Sequence, residues 1–420
     1  MRNLLFLCHR FPYPPNKGEK IRAWHILHHL GRTHRLHVGC FIDDKVDWDH
    51  LPYVRSLCAD VACFDFIPIR QRLRALAGLR PGRALTLDYF HDPRLQRWVD
   101  ETLRKRAIDD IFVFSSSMAP YVMKAPLMEA GARTRILDMV DVDSEKWTAY
   151  ADHFSWPMKA VWAREGRTLL AFERAAAARF DRTLFVSGDE CRRFAALAPE
   201  CAARTGWVEN GVDLVRFSPE SGFSNPFTGD APRIVFTGTM DYWPNADAVS
   251  WFAREVMPIL RRRAVPPEFH VVGANPGKEL LKLAAAPGVF VTGRVADTRP
   301  YIAHASAVVA PLRIARGIQN KVLEAMAMAK PVVASRQAFE GVRARPGQDL
   351  LVAEGAEGTA LAVSEVLDGR HPGLGQAARR AVELAYDWSA TLSVLDGFFR
   401  DMPQPEECRA HQRNHTGAPT

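Results

Sequence analysis

No apolar run in this 420-residue chain is long enough to cross a bilayer, so no transmembrane segment is expected. No two cysteines are spaced as C-x-x-C. The seven thiols (Cys8, Cys40, Cys58, Cys63, Cys191, Cys201 and Cys408) are scattered and odd in number, which argues against a disulfide framework and against a zinc cluster. They read as small buried hydrophobes in a reducing compartment. The first apolar stretch is not followed by G-x-G-x-x-G, which disfavours a nicotinamide-dependent dehydrogenase. The N-terminus carries one early Arg and a brief apolar run, Leu4-Leu5-Phe6-Leu7. That run is too short for a signal peptide and lacks a small-residue cleavage site, so it reads as a first buried strand and the expected location is cytoplasmic.

What is present is ordinary for a globular protein: 47% hydrophobic and 25% charged residues, with length enough for two domains. The net charge of +7 suits an anionic partner such as a nucleotide, a lipid head group or a nucleic acid. An arginine-rich proteome gives the same balance, so charge alone does not choose among them.

Apolar runs alternate with helical spacing along the whole chain. Strands are expected at residues 4–8, 36–42, 61–67, 111–114, 135–139 and 183–186. The pattern resets around Trp207-Val208-Glu209-Asn210-Gly211-Val212-Asp213, and residues 218–232, rich in Ser, Pro, Gly and Asn, read as a linker. A second series follows at 234–236, 269–272, 289–292, 307–310, 332–334 and 350–352. Strands separated by helices imply parallel sheets covered on both faces, an α/β class with two similar halves. Ligands of such sheets bind beyond the carboxyl ends of the strands. A last helix is expected at 389–399 and a disordered tail from 403.

The most informative stretch runs from Arg316 to Ser335. The strand at 307–310 leads into Arg316-Gly317-Ile318-Gln319-Asn320-Lys321, a helix rich in Leu, Glu, Ala and Met follows, and Lys330-Pro331 ends it. Free N–H groups at a helix N-terminus, the helix dipole and Lys321 together make an anion site. Glu324, one turn into the helix, is placed to reach a sugar hydroxyl. An anion cradle beside a carboxylate suits a nucleotide diphosphate.

Five motifs give the chain its resemblance. They are Asn210-Gly211-Val212-Asp213 with Phe217 and Pro219; Phe236-Thr237-Gly238-Thr239-Met240 with Pro244-Asn245; Val271-Val272-Gly273 with Val291-Thr292-Gly293-Arg294-Val295; Gly317 through Ser335; and Trp388 with its helix. In this order and spacing the chain resembles a GT-B glycosyltransferase of the large retaining group called family 4. The loop from Cys8 to Lys20 and the segment Leu137–Ser144 are similar to the sugar transferases associated with exosortase and PEP-CTERM systems. The resemblance implies two Rossmann-like domains facing a cleft. Residues 1–205 would form the acceptor domain and 206–385 the donor domain, with a helix at 386–402 crossing back and a tail at 403–420.

The same resemblance implies a retaining hexosyltransferase that moves a sugar from a nucleotide-diphosphate sugar to a glycan or lipid-linked acceptor in exopolysaccharide biosynthesis. It implies no nucleic acid and no cofactor. Asp141-Val142-Asp143 spells D-x-D, but the family generally lacks a metal site and none is expected. Glu324 matches the glutamate that binds ribose. The family's second glutamate, eight positions earlier, is replaced by Arg316, which leaves the sugar open. The Arg and Lys that usually clamp the pyrophosphate after the Gly238-type glycine are replaced by Thr239 and the Trp243-Pro244-Asn245 run. Lys321, Arg316 and Arg294, with the amides of Gly317, Ile318 and Gln319, are the candidates to take over, with Asn320 beside them. Lys321 is assigned the clamp; its bland alternative is a helix-surface lysine.

Gly238 and Gly18 read as close-approach glycines, Gly18 equally as an ordinary loop glycine. Asp138 and Asp141 follow a buried strand where an acidic residue can orient an acceptor hydroxyl or take its proton, while Asp141 serves equally as a cap for a helix near Ser144. The basic segment Arg70–Arg80 suits an anionic membrane surface, peripheral on the inner face of the cell membrane, or a surface helix with its Leu face on the core. Trp147, Trp156 and Trp162 form an apolar rim or part of the core. Two other functions fit the same fold, a nucleotide-sugar epimerase and a catalytically idle nucleotide-sugar-binding subunit.

Overall fold

The computed structural model describes residues 1–77, 82–123, 133–315 and 317–399. Arg316, the end of the basic segment at 78–80, and the tail from 403 lie outside the described residues. The chain divides into two compact units, Met1–Val208 with the chain from Leu392 onward, and Glu209–Thr391.

The first unit is built on seven strands: β1 (Arg2–Cys8), β2 (His34–Ile42), β3 (Asp60–Asp65), β4 (Asp110–Phe114), β5 (Thr134–Val140), β6 (Arg182–Phe185) and β7 (Thr205–Trp207). All pair in parallel, in the order β3-β2-β1-β4-β5-β6-β7. Every residue of β4 is buried, as a strand covered by helices on both faces requires. Leu5, Leu7, Ile111, Val113 and Leu137 share one cluster with Leu95 and Val99 of the helix Pro93–Lys105. The order reverses between β1 and β4, so the loops leaving these strands diverge and open a crevice at their carboxyl ends.

The second unit has six parallel strands: β8 (Arg233–Thr237), β9 (Glu268–Val272), β10 (Val289–Gly293), β11 (Ala307–Ala310), β12 (Val332–Ala334) and β13 (Leu351–Val352). Their order is β10-β9-β8-β11-β12-β13, which puts the switch point between β8 and β11. The helix that leaves the β8 loop runs from Trp243 to Leu260 with a π-helical turn at Phe252–Val256. Pro258 has no N–H to give to the ladder, and the wider turn just before it accommodates the ring. The segment entering this unit is pinned by the segment leaving it. Val212 N–H donates to the Tyr386 carbonyl at 2.8 Å, and a Cβ at Gly211 would lie 2.8 Å from the Trp388 ring.

One close approach holds the β8 and β9 loops together. Gly238 N–H donates to Val272 O at 3.1 Å, and Met240 N–H to Ala274 O at 2.8 Å. A Cβ at Gly273 would fall 1.7 Å from the Gly238 carbonyl oxygen, a backbone atom that cannot swing away. Gly273→Ala is therefore expected to cost about 3 kcal/mol or more, or to abolish folding. Gly358→Ala, where a Cβ meets nothing within 4 Å, is expected to be neutral or stabilising by about 0.5–1 kcal/mol. Urea unfolding of the two variants compares them directly.

Candidate functional site

The switch point of the second sheet gathers the groups that the sequence spreads over a hundred residues. β8 ends at Thr237 and hands over to Gly238 and Thr239; β11 ends at Ala310 and leads through Gly317 to the helix Asn320–Ala327. Gly317 turns with φ 64°, a conformation that suits glycine. The Gln319 side-chain amide donates back to the Gly317 carbonyl at 3.1 Å. Ile318 is buried and anchors the loop in the core. The Gln319 carbonyl accepts from Val322 and Leu323, so Asn320 and Lys321 present first-turn N–H groups that the helix itself does not use. The positive end of the helix dipole points the same way.

Lys321 sits over the Phe236 ring at 4.4 Å, and its Nζ donates to Asn245 Oδ1. Asn245, 5% exposed, donates its own Nδ2 to the Thr239 carbonyl at 2.8 Å, so the ammonium is tied to the β8 loop. A Cβ at Gly238 would lie 2.7 Å from Asn245 Nδ2 and 3.4 Å from Lys321 Nζ. The glycine leaves the space over the lysine open. Burial lowers the Lys321 ammonium to about 7, with Glu324 opposing that shift. Burial likewise raises the Glu324 carboxyl to about 7, with Arg216 and then Lys321 opposing. Among the described residues Glu324 has no side-chain hydrogen-bond donor. A cation and a carboxylate that burial pushes towards neutrality, one turn apart at a helix N-terminus, make this the candidate site.

Of the donor candidates, the structure brings Gly238, Thr239, Gly317, Ile318, Gln319, Asn320, Lys321 and Glu324 to this switch point. Arg294 is elsewhere: it is exposed and follows β10, the edge strand two places from β8. Phe236, Asn245 and Arg216 belong to the site's wiring. Phe236 and Asn245 fall within one of the sequence motifs and Arg216 inside the span of another, but nothing in the sequence marks any of the three as a site residue.

In the first unit, Gly18 opens the helix Gly18–Leu30 and is exposed. Lys20, two residues on, is 2% exposed and committed to Asp47 at 2.6 Å. Asp138 is fully buried, held by Arg22 through Nε at 2.8 Å and Nη2 at 3.2 Å. It is structural, which removes it as an acceptor-side base. Asp141 lies just beyond β5 and is half-buried. It is not the helix cap. The helix Asp143–His153 has Val142 at its cap position, and the N–H groups of Val142 and Ser144 go to the buried Glu190 and Glu173 instead. Burial, then Asp143 and Glu190, raise Asp141 to about 7. Nearby, burial and Arg10 keep His9, at the end of β1, neutral with a pKa of about 4. Among the described residues no group of three or more His, Cys, Asp or Glu is arranged to hold a metal ion.

Residues 231–369 match the family model described as Glycosyl transferases group 1. No curated protein sequence matches the chain. Among solved structures, a sucrose-phosphate synthase from Thermosynechococcus elongatus superposes with a TM-score of 0.69 at 16% identity, over 95% of this chain and 98% of that one. HepE of Anabaena, in complex with UDP and glucose, gives 0.67 at 16% identity over 96% and 100%. WaaG, a glycosyltransferase involved in lipopolysaccharide biosynthesis, gives 0.64 at 14% identity over 95% and 100%. The fold is thus α/β with two parallel sheets, that of the GT-B glycosyltransferase structures.

Proposed function

We propose that this chain is a retaining glycosyltransferase that moves a sugar from a nucleoside-diphosphate donor to a glycan or lipid-linked acceptor, in exopolysaccharide biosynthesis. The observation that carries the reading is the meeting of Gly238, Lys321 and Glu324 at the switch point between β8 and β11, inside the segment that matches the group 1 model. The UDP and UDP-glucose bound by Anabaena HepE, a neighbour in fold, support a nucleotide sugar as the ligand.

In this reading Lys321 and the first-turn amides of the helix Asn320–Ala327 take the diphosphate, and Glu324 takes the ribose hydroxyls. During transfer the bond from the anomeric carbon to the diphosphate oxygen breaks, the acceptor oxygen bonds to that carbon, and the acceptor proton leaves. The diphosphate gains negative charge as it departs, so fixed positive charge beside it lowers the barrier. Asp141, poised near 7, is the group we assign to the acceptor proton. Asp141→Asn is expected to lower kcat at least 100-fold with donor binding unchanged; unaltered turnover in a coupled nucleotide-release assay would sink this role.

Two exposed stretches of the first unit suit an anionic membrane surface. The helix Pro68–Ala77 buries Gln71 and Ala75 and turns Ile69 and Leu73 outward, 69% and 65% exposed, alongside Arg70, Arg72 and Arg74. Trp156 is 82% exposed, with Phe154 and Met158 exposed around it, whereas Trp147 and Trp162 stack on each other at 4.8 Å. No described helix is long and apolar enough to cross a membrane. A basic, apolar surface of this kind docks on anionic lipid. In co-sedimentation, the double variant Leu73→Glu, Trp156→Ser is expected to bind vesicles containing phosphatidylglycerol at least tenfold more weakly than the wild type. Equal binding of both to zwitterionic and anionic vesicles would remove the membrane from the proposal.

A further inference from the structure

Four cysteines gather towards one side of the first sheet. Cys8, Cys40 and Cys63 stand opposite one another on β1, β2 and β3, Cys8 in register with Cys40 and Cys40 with Cys63. Residues in register on parallel strands project to the same face, so the three thiols form a row. The Cys40 and Cys63 sulfurs are 3.4 Å apart, in hydrogen-bond contact. Cys8 meets Cys40 from the other side. Cys58, which ends the helix Leu51–Leu57, acts on Cys63 and completes the group. All four are free thiols. A row does not converge on one point, and among the described residues no such group is arranged to hold a metal ion.

Access differs along the row. Cys8 and Cys40 are buried, at 1% and 0% exposure, whereas Cys63 and Cys58 are partly exposed. β3 is the last strand in the sheet order and pairs with β2 alone among the described strands. An edge strand opens locally at lower cost than a central one, so Cys63 is the thiol of the pair that a dissolved reagent reaches first. Neighbouring strands lie about 4.8 Å apart, inside the range of Cα separations that a disulfide spans. Sulfurs already in contact come to bonding distance, about 2.0 Å, by small turns of their side chains. The contact with Cys40, then burial, raise the Cys63 thiol, and burial, then Cys63, push Cys58 up to about 12. Such thiols attack slowly at neutral pH. They also lack the thiolate stabilisation that keeps strongly oxidising dithiols reduced, so a bond formed here resists reduction by comparison with those.

We propose that Cys40 and Cys63 are a redox-sensitive pair that closes into a cross-strand disulfide and clamps the edge strand β3 to β2. The oxidant is a low-molecular-weight disulfide. The Cys63 thiolate attacks one of its sulfurs, so that a mixed disulfide forms and the first small thiolate leaves. Cys40 then attacks Cys63 Sγ and expels the second. The two cysteine protons pass to the two departing thiolates, and two electrons pass from the cysteines to the small disulfide. Excess small thiol reverses both steps. β3 leads through Phe66 and Ile67 into the helix Pro68–Ala77, so the clamp holds the root of the helix that turns Ile69 and Leu73 outward. The pair depends on neither the transferase reading nor its ligand.

The first test equilibrates the full chain with mixtures of oxidised and reduced glutathione, traps free thiols with an alkylating agent and maps the links by mass spectrometry of its peptides. One predominant link, Cys40 to Cys63, is expected. It should be lost in Cys63→Ser, retained in Cys58→Ser and reversed by excess reduced glutathione. No link even in oxidised glutathione alone, a glutathione adduct on Cys63 that Cys40 does not displace, or a predominant link between other cysteines overturns the pair. The mapping is read on the wild type, so it does not depend on how well any variant folds.

The second test reads the clamp itself. Closing the chain between residues 40 and 63 removes freedom from the unfolded state, so the oxidised protein is expected to melt about 3 °C or more above the reduced one. Hydrogen exchange at the β3 amides that pair with β2 should slow about tenfold or more on oxidation, while exchange in β8 and β11 of the second unit stays the same. Cys63→Ser, which cannot close, should show neither change in the same glutathione mixtures. A mapped Cys40–Cys63 bond that leaves Tm and β3 exchange unchanged, or that lowers Tm, would overturn the clamp.

Discussion

Replacing Lys321 by Ala is expected to lower kcat by about two to three orders of magnitude while the protein stays folded. Removing one donor from a charge-stabilising site typically costs about 3–4 kcal/mol of transition-state stabilisation, and a primary ammonium facing a leaving diphosphate belongs to that class. Its surroundings fit that role. It is half-buried over Phe236, held by Asn245, and pushed down to about 7 by burial. An arriving diphosphate favours the protonated form, so the cation is strongest when the ligand is present. Without ligand the same burial is a liability. A lysine whose folded value lies below its unfolded value contributes stability that is present above about 10.5 and is lost as pH falls towards 7. Lys321→Met is thus expected to be more stable than wild type in the free state at pH 7, by roughly 1–2 kcal/mol, with the gain vanishing above about pH 10.5. Denaturation across this range, paired with a nucleotide-release assay, checks both parts. Near-wild-type turnover in Lys321→Ala would mean another cation carries the clamp.

Glu324→Gln should act chiefly on donor binding. Losing a charge-assisted pair of hydrogen bonds to the ribose hydroxyls weakens ground and transition states alike, so donor KM is expected to rise about 10- to 100-fold with a much smaller change in kcat. The free protein should again gain stability. A carboxyl raised to about 7 in the folded state contributes stability that is fully present below about 4.5 and is lost as pH rises through 7. Gln keeps the shape and avoids that loss, so the gain over wild type should open between about pH 4.5 and 7 and persist above. Because Lys321 and Glu324 interact, the two titrations belong to the pair. Donor binding should fall away on both sides of neutrality and become one-sided when either residue is replaced. Calorimetric titration with a nucleoside diphosphate from pH 5 to 9 measures this. A flat profile in the wild type would contradict the coupled site.

Much of this architecture is legible in the sequence because fully buried parallel strands are continuous apolar runs. β1, β4, β8 and β11 all have that form, and the expected second series falls on β8 to β13. The sequence does not signal β7: Thr205-Gly206-Trp207 has no apolar run, and only its pairing with β6 makes it a strand. The loop and helix start from Gly317 to Glu324 stand out in the sequence because Gly, Asn, Lys and Glu fall within one short stretch there. The features that the sequence hides are long-range. Asp138 looks free in sequence, yet Arg22, 116 positions away, holds it in a buried pair. Asp141 looks like a helix cap, yet Glu190 and Glu173 fill that need from later helices. Arg379 joins the Phe217 and Ala327 carbonyls, a link within the second unit that no spacing rule reveals.

On the proposed reading, the β8–β11 switch point binds a nucleotide sugar through Lys321 and Glu324. The most direct measurement is calorimetric titration of the wild-type chain, Lys321→Ala and Glu324→Gln with a panel of nucleoside diphosphates and their sugars, UDP and UDP-glucose included. The account predicts saturable one-to-one binding of at least one nucleotide sugar to the wild type, weakened at least tenfold in each variant. Wild-type binding that both variants retain, or no binding by any member of the panel, would contradict it.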